Sequence, residues 1–276
     1  MDRSEGGAAV ALGIVSTRSG RNLMPIELAL TPDSRWGLDG SALAVIAREA
    51  GFSAVGVGVR QANDETAATL AINRIRCHEL LAFVLGRDEA ANLRHAQGLA
   101  EAADAVRAEW VLTTFGAPIT RDSARAVAQF AAMFAEAGAK MAAEFSPLGS
   151  VTSIPAALMV VETAGFDRAG VLIDSWHFFR GDSTWEHLEA IPLERIAYVQ
   201  FADALDPVSD DALDETINRR VMPGDGTFDL ERFASTLLDR GWQGLTSVEV
   251  LNHDLRRTPV PEFARMAYEK TARYWR

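Results

Sequence analysis

The 276-residue sequence predicts a single α/β domain, a (β/α)8 TIM barrel, and three observations carry that prediction. Eight short apolar runs recur along the chain, and helix-like amphipathic stretches fall between them. No Pro-, Gly- or Ser-rich linker divides the series, and the length suits one barrel of roughly 250 residues. An open doubly wound sheet is the alternative for alternating strands and helices, and the count of eight units favours closure.

In chain order, residues 1 to 22 read as an N-terminal extension and residues 23 to 276 as the barrel. Gly6 to Val15 is small and apolar behind Arg3, but Asp2 and Glu5 spoil the positive start of a secretory leader. Cys77 is the only cysteine, so no internal disulfide can form and a cytoplasmic location is expected. Strands are expected at Ile26–Leu30, Ala54–Val59, Glu79–Leu85, Trp110–Thr114, Lys140–Phe145, Gly170–Asp174, Ala197–Phe201 and Thr246–Leu251. Leu43, Val45, Ile46 and Ala50 form one apolar helix face that ends at Gly51. Further helices are expected over Ala90–Val106, Ser123–Ala137, Pro155–Ala164, Leu230–Arg240 and Pro261–Tyr274. The longest irregular stretch, Asp203 to Asp225, follows the seventh strand, and a connection of that length in a compact domain usually has a function.

Four oxygen-bearing side chains end apolar runs in the second half of the chain. They are Glu144 in KMAAEF, Asp174 in VLIDSWH, Gln200 in IAYVQFAD and Glu249 in LTSVEVLN. Such groups are costly to bury unless they are hydrogen-bonded or bound to a cation. A lone carboxylate at a strand end also serves as a helix N-cap, but four on neighbouring strands can converge on one point of the rim where barrel active sites lie. An all-oxygen set with three possible negative charges suits one hard divalent ion. Mn²⁺ or Mg²⁺ is favoured over Co²⁺ or Zn²⁺.

The remaining composition narrows the field. A formal net charge of −11 and a pI near 5.0 argue against a nucleic-acid or anionic-membrane surface. No apolar run approaches the roughly 20 residues that span a bilayer. There is no Walker loop, GxSxG elbow, CxxC pair or GxGxxG after a strand, which weakens nucleotide, serine-hydrolase and thiol chemistry.

With those residues placed, the sequence resembles the xylose isomerase-like (β/α)8 superfamily. That group includes keto-sugar epimerases, inosose dehydratases and 3-dehydroshikimate dehydratases. The resemblance runs from about residue 26 and is strongest from Glu144 to Glu249. It implies that Glu144, Asp174, Gln200 and Glu249 hold the metal. It also matches Asp174 and His177 in DSWH to an Asp-x-x-His pattern, and Arg220 in RRVMPGDG to a basic residue before a Pro-Gly-x-Gly turn. Gln200 departs from the histidine usual in sugar epimerases, and VQFADA with RVMPGDG looks closer to the dehydratase branch. The resemblance further implies a homo-oligomer acting on a small keto-sugar or keto-polyol.

Either activity uses one site. An ion that polarises a carbonyl acidifies the adjacent carbon, and a carboxylate in reach removes the proton. Return of that proton on the other face by the second carboxylate gives epimerisation or isomerisation, so Glu144 and Glu249 are the candidate catalytic pair. Loss of a β-hydroxyl with help from His177 gives dehydration instead. Arg220 is the candidate to grip a substrate oxygen through its fork of donors. His177, Trp176 and His253 are further substrate-binding candidates, although packing of Trp176 and Phe178 at the barrel mouth is the ordinary role for such rings. His78, His95 and His187 carry no expected function. The turn Pro223-Gly224-Asp225-Gly226 is expected to be a tight turn rather than a phosphate cradle. An endonuclease IV-like repair function is disfavoured by the net charge and by too few, misplaced histidines. A non-catalytic binding protein remains the alternative outside enzymology.

Overall fold

The structure, a computed structural model, describes residues 26–276, so the expected N-terminal extension lies outside the described residues. Eight parallel strands close into a barrel: β1 Leu28–Leu30, β2 Ala54–Gly58, β3 Arg76–Leu85, β4 Trp110–Phe115, β5 Lys140–Glu144, β6 Ala169–Asp174, β7 Ile196–Phe201 and, after two short strands, β10 Thr246–Val248. Leu28 pairs with Thr246, which joins first strand to last. All eight expected strands are present, and the expected (β/α)8 class is the observed one.

Helices α1 Gly40–Ala50, α2 Asp64–Asn73, α3 Glu89–Val106, α4 Arg121–Glu136 and α5 Ile154–Ala164 cover the first half. Helices α6 Ser175–Arg180, α7 Trp185–Ala190, α8 Ala212–Asn218, α9 Leu230–Asp239 and α10 Val260–Ala272 complete the ring. Sequence pattern did not single out α2, because its Ala- and Thr-rich face buries only Thr66 and Leu70. Its start is set by Asn63, which accepts the Thr66 amide at 2.9 Å. No described helix is long and apolar enough to cross a membrane.

The apolar stripes of the helices pack on the outer faces of the strands and form the main core. Inside the barrel, Leu112, Ala142, Leu172 and Tyr198 form a second, smaller cluster. Two residues further along their strands come Glu144, Asp174 and Gln200, the period-2 positions on the same inward face. The inner plug is therefore apolar toward the base and polar toward the C-terminal rim.

The stretch after β7 is more ordered than expected. Asp203–Ala204 (β8) pairs antiparallel with Arg220–Val221 (β9), and α8 lies between them. Asp211 caps α8 by accepting the Leu213 and Asp214 amides. The polar, Asp-rich composition hid this helix because it lacks an apolar stripe.

Candidate active site

Asp174 ends β6 and also starts α6. Its Oδ1 accepts the His177 amide at 3.0 Å, so the N-cap role and the site role coexist in one side chain. Its Oδ2 accepts from Arg220 Nη1 at 2.8 Å, and the same nitrogen donates to Glu249 Oε2 at 2.9 Å. Arg220 is buried, stacks its guanidinium 5.5 Å from the Trp176 ring centroid, and is held through Thr216 Oγ1 and the Thr216 carbonyl. Arg219 instead turns outward to Asp214 at 2.7 Å. Arg219 closes the end of α8 and Arg220 opens β9, and Arg220 is the one that faces the site.

The turn after Arg220 is fixed by the chain itself. Asp203 Oδ2 accepts the Gly224 and Gly226 amides at 3.0 and 3.1 Å, and Oδ1 accepts the Phe228 amide at 3.1 Å. A Cβ on Gly226 would meet Asp203 Oδ1 at 2.2 Å, so glycine is required for that approach. The turn amides are thus filled by a carboxylate of the protein.

Glu144 ends β5 with its Oε1 3.5 Å from His177 Nε2. One ligand atom from each of Glu144, Asp174 and His177 lies within 4.8 Å of the others, and all three residues are buried. Burial raises the Glu144 carboxyl well above the usual carboxylate range, and Asp174 and Glu249 raise it further against the pull of Arg220. Burial also acts to raise Asp174, but the Arg220 charge with His177 overrides it and holds this carboxyl low. Burial, with Asp174 and Glu79 adding to it, pushes Glu249 up to about 8 despite Arg220. His177 is lowered to about 4 by burial, which Asp174 only partly opposes, so its ring is neutral near pH 7.

Three buried carboxylates therefore share one guanidinium. Burying such a set without further compensation is unfavourable, and a divalent cation supplies what is missing. Two further polar atoms at the site, Gln200 Oε1 and His177 Nδ1, are buried and have no partner among the described residues. The donor set is oxygen-rich with one imidazole, which fits a hard or borderline divalent ion.

Sequence reasoning missed Glu79. It lies in the middle of β3, fully buried inside the barrel, where Thr31 and the Tyr198 hydroxyl donate to it. Gln200 Nε2 donates to its Oε2 at 3.2 Å, and His78 Nε2 stands 3.2 Å from its Oε1. Burial acts to raise its carboxyl, but His78 and the hydroxyl donors prevail and hold it low. A Cβ on Gly56 would meet Glu79 Oε1 at 2.7 Å, so that glycine makes the space. The polar run RCHE reads as a loop before a strand, which placed Glu79 at the edge of β3 rather than inside it.

Two candidates sit elsewhere than expected. His253 is 57% exposed in its side chain and pairs with Asp254 at 3.1 Å, because the Arg219–Asn252 bridge turns that loop outward. Trp176 is buried beneath Arg220 and meets His177 edge-on at 5.2 Å, so it supports the site instead of walling the cavity. The cavity itself measures about 1020 Å³ at the C-terminal rim. Glu144, His177, Arg220 and Glu249 line one side, and Leu81, Val84, Leu112 and Phe115 line the other. Leu213, Thr216 and Ile217 of α8 approach from above.

Comparison with known proteins agrees with this architecture. A protein of Halalkalibacterium halodurans named inosose isomerase is 26% identical over 204 residues, spanning 69% of this chain and 71% of that one. A Pseudomonas aeruginosa 3-dehydroshikimate dehydratase is 33% identical over 101 residues, 37% of this chain and only 16% of that protein. Among solved structures, the IOLI protein with a binding zinc atom superposes with a TM-score of 0.79 at 20% identity, covering 90% of this chain and 98% of that one. A D-allulose 3-epimerase from Methylomonas sp. does so with a TM-score of 0.68 at 15% identity, covering 91% and 98%. The xylose isomerase-like TIM barrel family matches residues 45–276, most of the chain, and the protein belongs to that family.

Proposed function

We propose that the protein is a divalent-metal-dependent isomerase or epimerase that moves a proton next to the carbonyl of a keto-sugar or keto-polyol. The observation that carries this reading is the pair Glu144 and Glu249. Both are buried beside one cavity, Glu144 raised well above the usual carboxylate range and Glu249 pushed up to about 8, so each can hold a proton as well as accept one. Glu144, Asp174, Glu249 and either His177 or Gln200 would hold the ion, which supplies Lewis-acid polarisation of the substrate carbonyl. One of the two glutamates takes the proton from the carbon beside the carbonyl, and the other returns a proton to the opposite face. Arg220 holds Asp174 ionised and bridges it to Glu249, and the one Nη2 hydrogen left by its bond to Thr216 can reach a substrate oxygen. The apolar wall formed by Leu81, Leu112 and Phe115 excludes water from the reacting carbon.

A second reading is dehydration of a cyclic keto-polyol, favoured by His177. Its neutral ring stands 3.5 Å from the Glu144 carboxyl, which is raised well above the usual carboxylate range, so Glu144 can give a proton to Nε2 as the other ring N–H passes to a departing β-hydroxyl. The dehydratase names among the relatives support the same alternative.

Incubation with a ketose or an inosose in D₂O and Mn²⁺ separates the two. Isomerisation yields a product isomer carrying deuterium at the transferred position, whereas dehydration yields a conjugated enone absorbing in the ultraviolet. Neither change across a broad panel of such substrates would overturn both readings.

A further inference from the structure

The Glu79 cluster lies below the rim and touches none of the cavity. A carboxylate placed inside a barrel is unfavourable unless it is satisfied, and this one is surrounded by donors. Ser247 Oγ lies 2.6 Å from Thr31 Oγ1, and Thr31 donates onward to Glu79, so the hydroxyls form a relay from β10 to β3. Tyr198 donates from β7. The final donor is the Gln200 amide nitrogen at 3.2 Å.

That last contact settles which end of the Gln200 amide faces where. An ionised carboxylate only accepts, so the NH₂ end must face Glu79 and the carbonyl oxygen must face away. Gln200 lies in register with Asp174 on the neighbouring strand, and its Oε1 is buried without a partner among the described residues. A buried acceptor left bare costs about 1–3 kcal/mol. The amide is thus held with one end satisfied and the other presented beside Asp174.

The geometry points to Glu79 as a positioning residue that orients the Gln200 amide so that its oxygen serves as a ligand to the divalent ion. This rests on the metal-dependent reading of the site and extends it inward by one layer. The arrangement is the amide counterpart of a carboxylate that fixes a metal-bound imidazole by accepting its other N–H. It accounts for how glutamine can act at a strand end where an imidazole would otherwise be oriented in the same way.

The test is Mn²⁺ binding to the full-length protein after chelation, followed by calorimetry. Glu79→Gln keeps the shape but lets the two amides pair in either sense, so the Mn²⁺ dissociation constant is expected to rise about tenfold or more. The exchanged pair Glu79→Gln with Gln200→Glu restores a carboxylate–amide contact with its polarity reversed, and it places a carboxylate oxygen at the rim. Binding is expected to return at least to the wild-type level and to exceed that of Gln200→Glu alone, which carries the same new carboxylate without the amide that would orient it; binding equal to that single variant overturns the inference.

If Glu79→Gln binds Mn²⁺ as tightly as the wild type while Gln200→Leu does not, Glu79 does not orient the ligand and the inference fails alone. If Glu79→Gln does not fold, the exchanged pair still decides: binding no tighter than Gln200→Leu overturns the inference. If the wild type takes up no divalent ion, the metal reading falls and the inference falls with it.

Discussion

Arg220 and Asp174 meet at 2.8 Å across the mouth of the barrel, and both side chains are almost completely buried. Among the described residues, Arg220 is the cation that bonds both Asp174 and Glu249. Arg220→Met should therefore destabilise the ion-free protein by about 3–5 kcal/mol, because Asp174 and Glu249 lose their common partner. Urea unfolding in chelator and again in Mn²⁺ checks this, and the added ion should recover part of the loss.

The raised carboxyls make a prediction about pH. Glu249 titrates near 8 in the folded ion-free protein against an ordinary value of 4.5, and Glu144 is raised in the same sense. The folded state then holds protons that the unfolded chain has released, so stability is greatest below about 4.5 for these groups and is lost as pH rises to about 8. His177 acts oppositely, since its value near 4 lies below the ordinary 6.5 and its contribution is lost as pH falls through that window. Between pH 6.5 and 8 the carboxyls act without the histidine. The melting temperature in chelator should fall across that interval, and Mn²⁺ should flatten or reverse the slope. A melting temperature that rises over the interval in chelator would contradict the assignment.

Gly56→Ala tests the space kept for Glu79. The new methyl would stand 2.7 Å from Glu79 Oε1 and 3.1 Å from Pro32 Cδ. Overpacking of this kind costs about 1–3 kcal/mol, to be read as a lower urea midpoint at unchanged slope.

His253→Ala should leave stability within about 0.5 kcal/mol and leave Mn²⁺ affinity unchanged, as expected for an exposed residue outside the cavity. A tenfold loss of ion affinity would show that the loop folds inward when the site is occupied.

Much of the barrel was legible because buried parallel strands read as short continuous apolar runs. Val171, Leu172 and Ile173 before Asp174 are an example, since the only polar residue in the run marks the rim. Glu144, Asp174 and Glu249 come together because each stands at the C-terminal end of a barrel strand, β5, β6 and β10, on one rim. Glu79 was not legible for the opposite reason. Its run begins with Arg76, whose side chain is exposed and pairs with Glu27 and Glu109, so polar residues of two different environments follow one another. The register shift between Val55 and Gly56 then breaks the alternation that would have marked Glu79 as inward. The direction of His253 depends on hydrogen bonds between residues 251–253 and residues 218–220, and no local pattern encodes such a long-range pairing.

The cavity has two sides drawn from different parts of the chain. Its charged side comes from the end of β5, from α6, from β9 and from the residue after β10, and its apolar side comes from β3 and β4. Mutational drift along Leu81, Val84, Leu112 and Phe115 can thus reshape what enters the barrel without moving a single charged atom at the opposite rim. Diversification of substrate range and retention of chemistry are separable tasks for this chain, because they are written into separate βα units.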